Sequence, residues 1–71
     1  MMYDEVEDYE YKGLYVTIYE REGECCTLDI NNNMGELLQG YCGISSREVC
    51  KKIAKIYIDA QYEIYQIMEN D

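Results

Sequence analysis

Histidine, proline, phenylalanine and tryptophan are absent from this 71-residue chain, and positive charge is scarce, with six Lys and Arg against fifteen Asp and Glu. Without histidine the commonest general base is missing, and none of the four cysteines can have the imidazole partner that usually activates a thiol. The usual nucleophile arrangements are therefore not on offer. Carboxylates are plentiful, but so short a chain has no cleft in which to desolvate one and raise its pKa. These absences argue against an enzyme. No stretch approaches the roughly 18 apolar residues that a membrane span needs. The acidic start, Met1-Met2-Tyr3-Asp4-Glu5, is the opposite of a basic and then apolar secretory leader. A cytoplasmic protein with reduced thiols is the expectation. There is no internal repeat, low-complexity tract or linker, so residues 1–71 read as a single small domain.

What remains is acid and tyrosine. The formal net charge is −9, and nine tyrosines supply every aromatic ring. Self-repulsion of that size destabilises a small domain with little stability to spare, so the charge points to use against a basic partner. Tyrosine buries a ring while keeping a hydrogen-bonding tip, which suits partly wet surfaces and interfaces. Residues 4–10 hold five acids and no cation. This segment reads either as a solvated, mobile N-terminal tail or as part of an acidic binding surface.

Alternation of apolar and polar residues marks two strands. Leu14, Val16 and Ile18 share one side of the first, opposite Tyr15, Thr17 and Tyr19; Cys26, Leu28 and Ile30 share one side of the second. Parity fixes their pairing. A three-residue turn at Glu22-Gly23-Glu24 sets Ile18 opposite Leu28, Val16 opposite Ile30 and Tyr19 opposite Thr27, whereas a two-residue turn misplaces the apolar faces. Met34 to Tyr41 is predicted as a short helix bracketed by Gly40 and Gly43. Ser45-Ser46-Arg47-Glu48 fits a capping box with Ser45 as the cap. A long helix follows to about Met68, with Val49, Ile53, Ile56, Tyr57, Ala60, Ile64 and Ile67 on its core face. The rival reading breaks the helix near Gln61 and makes 62–67 a third strand. The fold class is α+β: a two-stranded antiparallel hairpin packed on one long C-terminal helix, with a short helix between.

A row of carboxylates along extended backbone imitates phosphates. Asp4, Glu5, Glu7, Asp8 and Glu10, with Glu20, Glu22 and Glu24 at the hairpin tip, form the candidate acidic surface. Tyr9, Tyr11, Tyr15 and Tyr19 interleave with it as stacking groups for arginine or aromatic side chains. In size, charge and Tyr/Asp/Glu content the chain is similar in kind to the compact acidic proteins that phages encode against host defence, anti-CRISPR proteins among them. That likeness implies an inhibitor that binds the basic nucleic-acid site of a nuclease or CRISPR effector in the host cytosol, by phosphate mimicry and steric block. It implies no direct contact with nucleic acid or membrane.

Two other readings stand beside it. Leu38-Gln39-Gly40-Tyr41-Cys42-Gly43-Ile44-Ser45-Ser46-Arg47-Glu48-Val49 looks like a helix-turn-helix, whose second helix would carry Arg47, Lys51 and Lys55 into a DNA groove. Gln39 and Lys52 depart from that pattern, and no supporting first helix precedes it. Alternatively Ile58, Tyr62 and Tyr65, on the far side of the long helix from the predicted core face, form the interface of an interaction subunit or homodimer. Cys26, Cys42 and Cys50 are a weak zinc set, better read mostly as small buried hydrophobes. No cofactor is expected.

Overall fold

The computed structural model describes residues 4–21, 23 and 25–70. Four strands run in sequence order, β1 (Asp4–Tyr11), β2 (Leu14–Glu20), β3 (Cys26–Asn31) and β4 (Leu37–Ile44), followed by the helix α1 (Arg47–Glu69). They form one antiparallel sheet in the order β1-β2-β3-β4, a meander with α1 against one face. The class is α+β, as the alternation and the long helical stripe suggest. No helix among the described residues is long and apolar enough to cross a membrane.

The β2–β3 pairing has the expected register, with Val16 opposite Ile30, Ile18 opposite Leu28 and Tyr19 opposite Thr27. Its inward set, Val16, Ile18, Cys26, Leu28 and Ile30, is buried almost to the last atom. The remaining strands replace two other expectations. First, the acidic segment 4–10 is not a tail over its described part but the edge strand β1, paired with β2 from Asp4–Glu20 to Tyr11–Leu14. Lys12 and Gly13, both with positive φ (51° and 84°), close that hairpin. A two-residue turn with left-handed backbone at both positions matches the twist of the flanking strands. Lys-Gly is a weaker turn signal than Asn-Gly, which is why the acid run hides a strand.

Second, Met34–Tyr41 is not a helix. The Asn32 side chain accepts hydrogen bonds from the backbone N–H of Met34 and of Glu36, both at 2.9 Å, and its amide donates to Glu36 Oε1 at 3.0 Å. This side-chain clamp competes with helix nucleation and turns the chain back as a hairpin. The segment after it becomes β4, an edge strand with a register shift at each end of its β3 pairing. Gly40 sits opposite Asp29, where a Cβ would lie 3.4 Å from Asp29 Oδ1. With β4 in this place, the first helix of a helix-turn-helix is replaced by a strand.

The helix is continuous to Glu69, so the strand alternative for 62–67 does not form. Its cap is Ser46 rather than Ser45: Ser46 Oγ accepts from the backbone N–H of Val49 at 3.3 Å. Its core face is also rotated from the expected one. Cys50, Ala54 and Ile58 are the fully buried positions, Val49, Ile53 and Tyr57 pack at their margin, and Ile56, Ala60, Ile64 and Ile67 face outward. The reason is charge. The four-residue spacing of Cys50, Ala54 and Ile58 is less apolar than the isoleucine stripe, but this rotation puts Arg47 beside Glu20 of β2 and Lys51 beside Glu7 of β1.

From Ala60 onward every helical residue is exposed. At 1.5 Å per residue these last ten helical positions span about 15 Å, and the molecule is long, 48 × 22 × 15 Å. The burial pattern has a direct consequence. Ile58→Val should cost about 1 kcal/mol of unfolding free energy in urea, the usual loss for one buried methyl, while Ile64→Val should leave the midpoint of the dilute, monomeric protein unchanged. Equal effects at the two positions would contradict the observed rotation of α1.

Candidate functional site

Three helical cations spaced four residues apart line the side of α1 that meets the sheet, Arg47 reaching β2, Lys51 reaching β1 and Lys55 donating to the Tyr11 hydroxyl at 3.4 Å. Arg47 Nε lies 3.3 Å from Glu20 Oε2, and Lys51 Nζ lies 2.7 Å from Glu7 Oε2. Lys55 Nζ meets Asp59 Oδ2 one turn on, at 2.6 Å. Asp59 is the node of this seam. Its other oxygen accepts from the Tyr11 hydroxyl at 2.8 Å and faces Lys12 Nζ at 2.9 Å. Lys12 Nζ also stands 4.9 Å from the centre of the Tyr62 ring, within cation–π range. Lys55, Lys12 and Tyr11 together hold the Asp59 carboxyl well below the usual carboxylate range. The Arg47 guanidinium lowers Glu20 in the same sense, and each of the four basic groups is raised by its acidic partner.

This seam sorts the acids into two groups. No strand contains a Lys or Arg, whereas the strands carry seven Asp and Glu. Those whose side chains share the helix side, Glu7 and Glu20, are neutralised by α1. The opposite face of the sheet has no helix over it. Cross-strand register assembles there the row Glu5–Tyr19–Thr27, the row Asp8–Thr17–Asp29 and the row Glu10–Tyr15–Asn31. Burial raises the Tyr19 phenol, and the carboxylates of Asp29, Glu5 and Asp8 raise it further. Thr17, in the middle row, is only 9% exposed although it points away from the helix. Its neighbours along the strand are Tyr15 and Tyr19, whose rings are large enough to shelter it.

The candidate residues read from the sequence therefore divide. Glu5, Asp8, Glu10, Tyr15 and Tyr19 come together on the open face, and Asp29, which sequence reasoning missed, joins them from β3. Asp29 was visible as the polar partner of Leu28 and Ile30, but only the pairing of β1 with β2 brings it alongside Asp8. Glu7, Glu20, Tyr9 and Tyr11 lie on the helix side, packed or paired in the seam. Asp4 opens β1 opposite Glu20 and is exposed. Glu22 and Glu24 lie outside the described residues. Ile58 is 1% exposed and belongs to the core, so it cannot serve an interface, whereas Tyr62 and Tyr65 are exposed on the last turns of α1.

The thiols do not converge as a metal set. Cys26 and Cys50 are in the core and Cys42 is exposed on β4; among the described residues no three of His, Cys, Asp and Glu gather as metal ligands. Burial pushes the Cys50 thiol up to about 11 and raises Cys26 as well. Both are poor thiolates and behave as small hydrophobes. Two open grooves of about 360 Å³ flank the helix. One lies over the seam between Glu7, Tyr9, Tyr11, Lys51 and Lys55. The other lies beneath the last turns, between Leu14, Leu38, Ile58, Tyr62 and Tyr65. Comparison with known proteins gives no match: no family model, no curated protein and no solved structure is similar to this chain.

The Asp59 node has a testable pH signature. Because its carboxyl is depressed in the folded state, its contribution is complete above the ordinary unfolded value of about 4 and is lost as pH falls through the lower folded value. Asp59→Asn should lower Tm by a constant amount between about pH 5 and 7. The gap between the two proteins should close progressively below about pH 4. Thermal melts across that range check it. A gap independent of pH would mean that Asp59 acts through packing and not through its charge.

Proposed function

We propose that this chain is a small acidic inhibitor that occupies the basic, nucleic-acid-binding site of a nuclease or CRISPR effector with the open face of its sheet. The observation that supports the reading most is the sorting of charge just described. Every strand is free of cations, and the described cations sit in the Lys12 turn, the β2–β3 loop and the helix. Carboxylates two residues apart on a strand, such as Asp8 and Glu10, stand about 6.8 Å apart, and neighbouring strands add a second dimension at about 4.8 Å. The result is a flat array of negative charge with tyrosine rings set into it. Lys and Arg side chains that ordinarily hold phosphate would meet carboxylate oxygens in similar density. Tyr15, 41% exposed, offers a ring face for arginine stacking.

Arg47, Lys51 and Lys55 are committed to Glu20, Glu7 and Asp59, which supports a protein partner over a DNA groove for the helix. The mechanism is competitive: the inhibitor takes the groove, and substrate cannot enter. Electrostatic steering accelerates such an encounter and makes it sensitive to salt.

The test is DNA cleavage by a panel of CRISPR effectors and other nucleases with basic substrate grooves, with the protein added at low and high salt. One enzyme should be inhibited, competitively with DNA, and less strongly as salt rises. The triple substitution Asp8→Asn, Glu10→Gln, Asp29→Asn should weaken that inhibition by about tenfold or more, equivalent to about 1.4 kcal/mol. Inhibition indifferent to both salt and these substitutions, or no inhibition across the panel, would refute the proposal.

A further inference from the structure

The rotation of α1 leaves a stripe of isoleucine without a partner inside the molecule. Ile56, Ile64 and Ile67 are 71%, 51% and 62% exposed, although each side chain is larger and more apolar than the buried Ala54. With Ala60 between them, and Ile53 half-buried at the sheet end, they form one line along the helix. Ile53 and Ile64 are eleven residues apart, as are Ile56 and Ile67. An eleven-residue repeat averages about 3.67 residues per turn, so the line stays in phase along a nearly straight helix and does not drift round it. Nothing in the fold requires this regularity at positions that face water. A helix needing only solubility there would carry charge.

The spacing of the stripe is symmetrical. From Ile53 the steps to Ile56, Ala60, Ile64 and Ile67 are three, four, four and three residues. Read from the other end, the sequence of steps and side chains is the same. A two-fold interface must be self-complementary, because each patch meets its own copy. A stripe with this palindrome meets the requirement when two helices run antiparallel about an axis through Ala60. Ile56 of one copy then faces Ile64 of the other, Ile53 faces Ile67, and the small Ala60 lies at the crossing, where a short side chain lets helices approach closely.

Charge selects the same arrangement. The first half of α1 holds Arg47, Lys51, Lys52 and Lys55 against Glu48, whereas the second half holds Asp59, Glu63 and Glu69 with no cation. Antiparallel pairing sets the positive half of each helix beside the negative half of the other and opposes their dipoles favourably. Lys52 and Glu63 lie on the same flank of the stripe by helical periodicity, so the positive half of that flank in one copy runs along its negative half in the other. A parallel pair would oppose like with like.

We infer that the chain forms an antiparallel homodimer through the Ile53–Ile67 stripe of α1, with Ala60 on the two-fold axis. The stripe is on the helix layer, so both open sheet faces remain free and the dimer presents two acidic surfaces. The interface differs from one built on Ile58, Tyr62 and Tyr65, since Ile58 is enclosed in the core.

The experiment is sedimentation equilibrium on the full chain under reducing conditions, from low to high micromolar concentration, with far-UV circular dichroism as the control for folding. Wild-type protein should reach twice the 8.4 kDa chain mass. Ile56→Lys with Ile64→Lys should be monomeric and still helical, because both side chains are exposed. Ile56→Lys with Ile64→Glu should restore the dimer, since the antiparallel pair matches lysine with glutamate at both contacts. Tyr62→Ser with Tyr65→Ser should leave the mass unchanged. A wild-type monomer throughout, a dimer that survives the double lysine variant, or failure of the Lys/Glu variant to dimerise would each overturn the inference.

Discussion

The packing of a long helix onto a small sheet in a chain of net charge −9 depends on where six cations are placed. Three of them, Arg47, Lys51 and Lys55, recur every fourth residue on α1 and are taken up by Glu20, Glu7 and Asp59. A fourth, Lys12, folds over from the first turn onto the same Asp59. Individually such solvent-touched pairs stabilise little. Those that cross between elements, Arg47 to Glu20, Lys51 to Glu7 and Lys12 to Asp59, hold α1 against β2, β1 and the first turn. The core accepts a modest set from the helix, Cys50, Ala54 and Ile58, in this orientation.

Two properties follow from this one arrangement. With the cations drawn to the helix side, the uncovered face of the sheet keeps Glu5, Asp8, Glu10 and Asp29 around Tyr15 and Tyr19 with no compensating charge on any strand. With the helix rolled toward its lysines, the isoleucine stripe turns outward. The acidic face and the apolar stripe are thus two sides of the same electrostatic choice, and they lie on different layers of the molecule. A partner on one does not block the other.

Much of this was legible in the sequence where a single physical rule acted locally. The β2–β3 register followed from parity, because a one-residue slip would have turned Val16 and Ile18 into solvent. The existence of the long helix followed from its period. The misses came where two rules competed. For β1, the density of carboxylates argued for a tail, and pairing with β2 through a Lys-Gly turn outweighed it. For β4, the Asn32 clamp overrode the short helix predicted for Met34 to Tyr41. For α1, hydrophobicity favoured the stripe from Ile53 to Ile67, while cross-element charge, invisible until β1 is a strand, favoured the face through Ile58. The acidic surface was read as one row; the fold divides it into an inner set paired with α1 and an outer set on the open face, and brings in Asp29 from a strand two positions away.

The claim on which the account turns is that the open sheet face, and not the helix, receives a basic partner. The most direct measurement is an NMR titration of isotopically labelled protein with an arginine-rich peptide at moderate ionic strength. The account predicts that the amides of β1 and β2 around Asp8, Glu10, Tyr15 and Tyr19, with those of β3 around Asp29, shift first and saturate together, while the exposed turns of α1 stay unmoved. Shifts centred on Glu63 and Glu69, or spread evenly over every carboxylate, would contradict it.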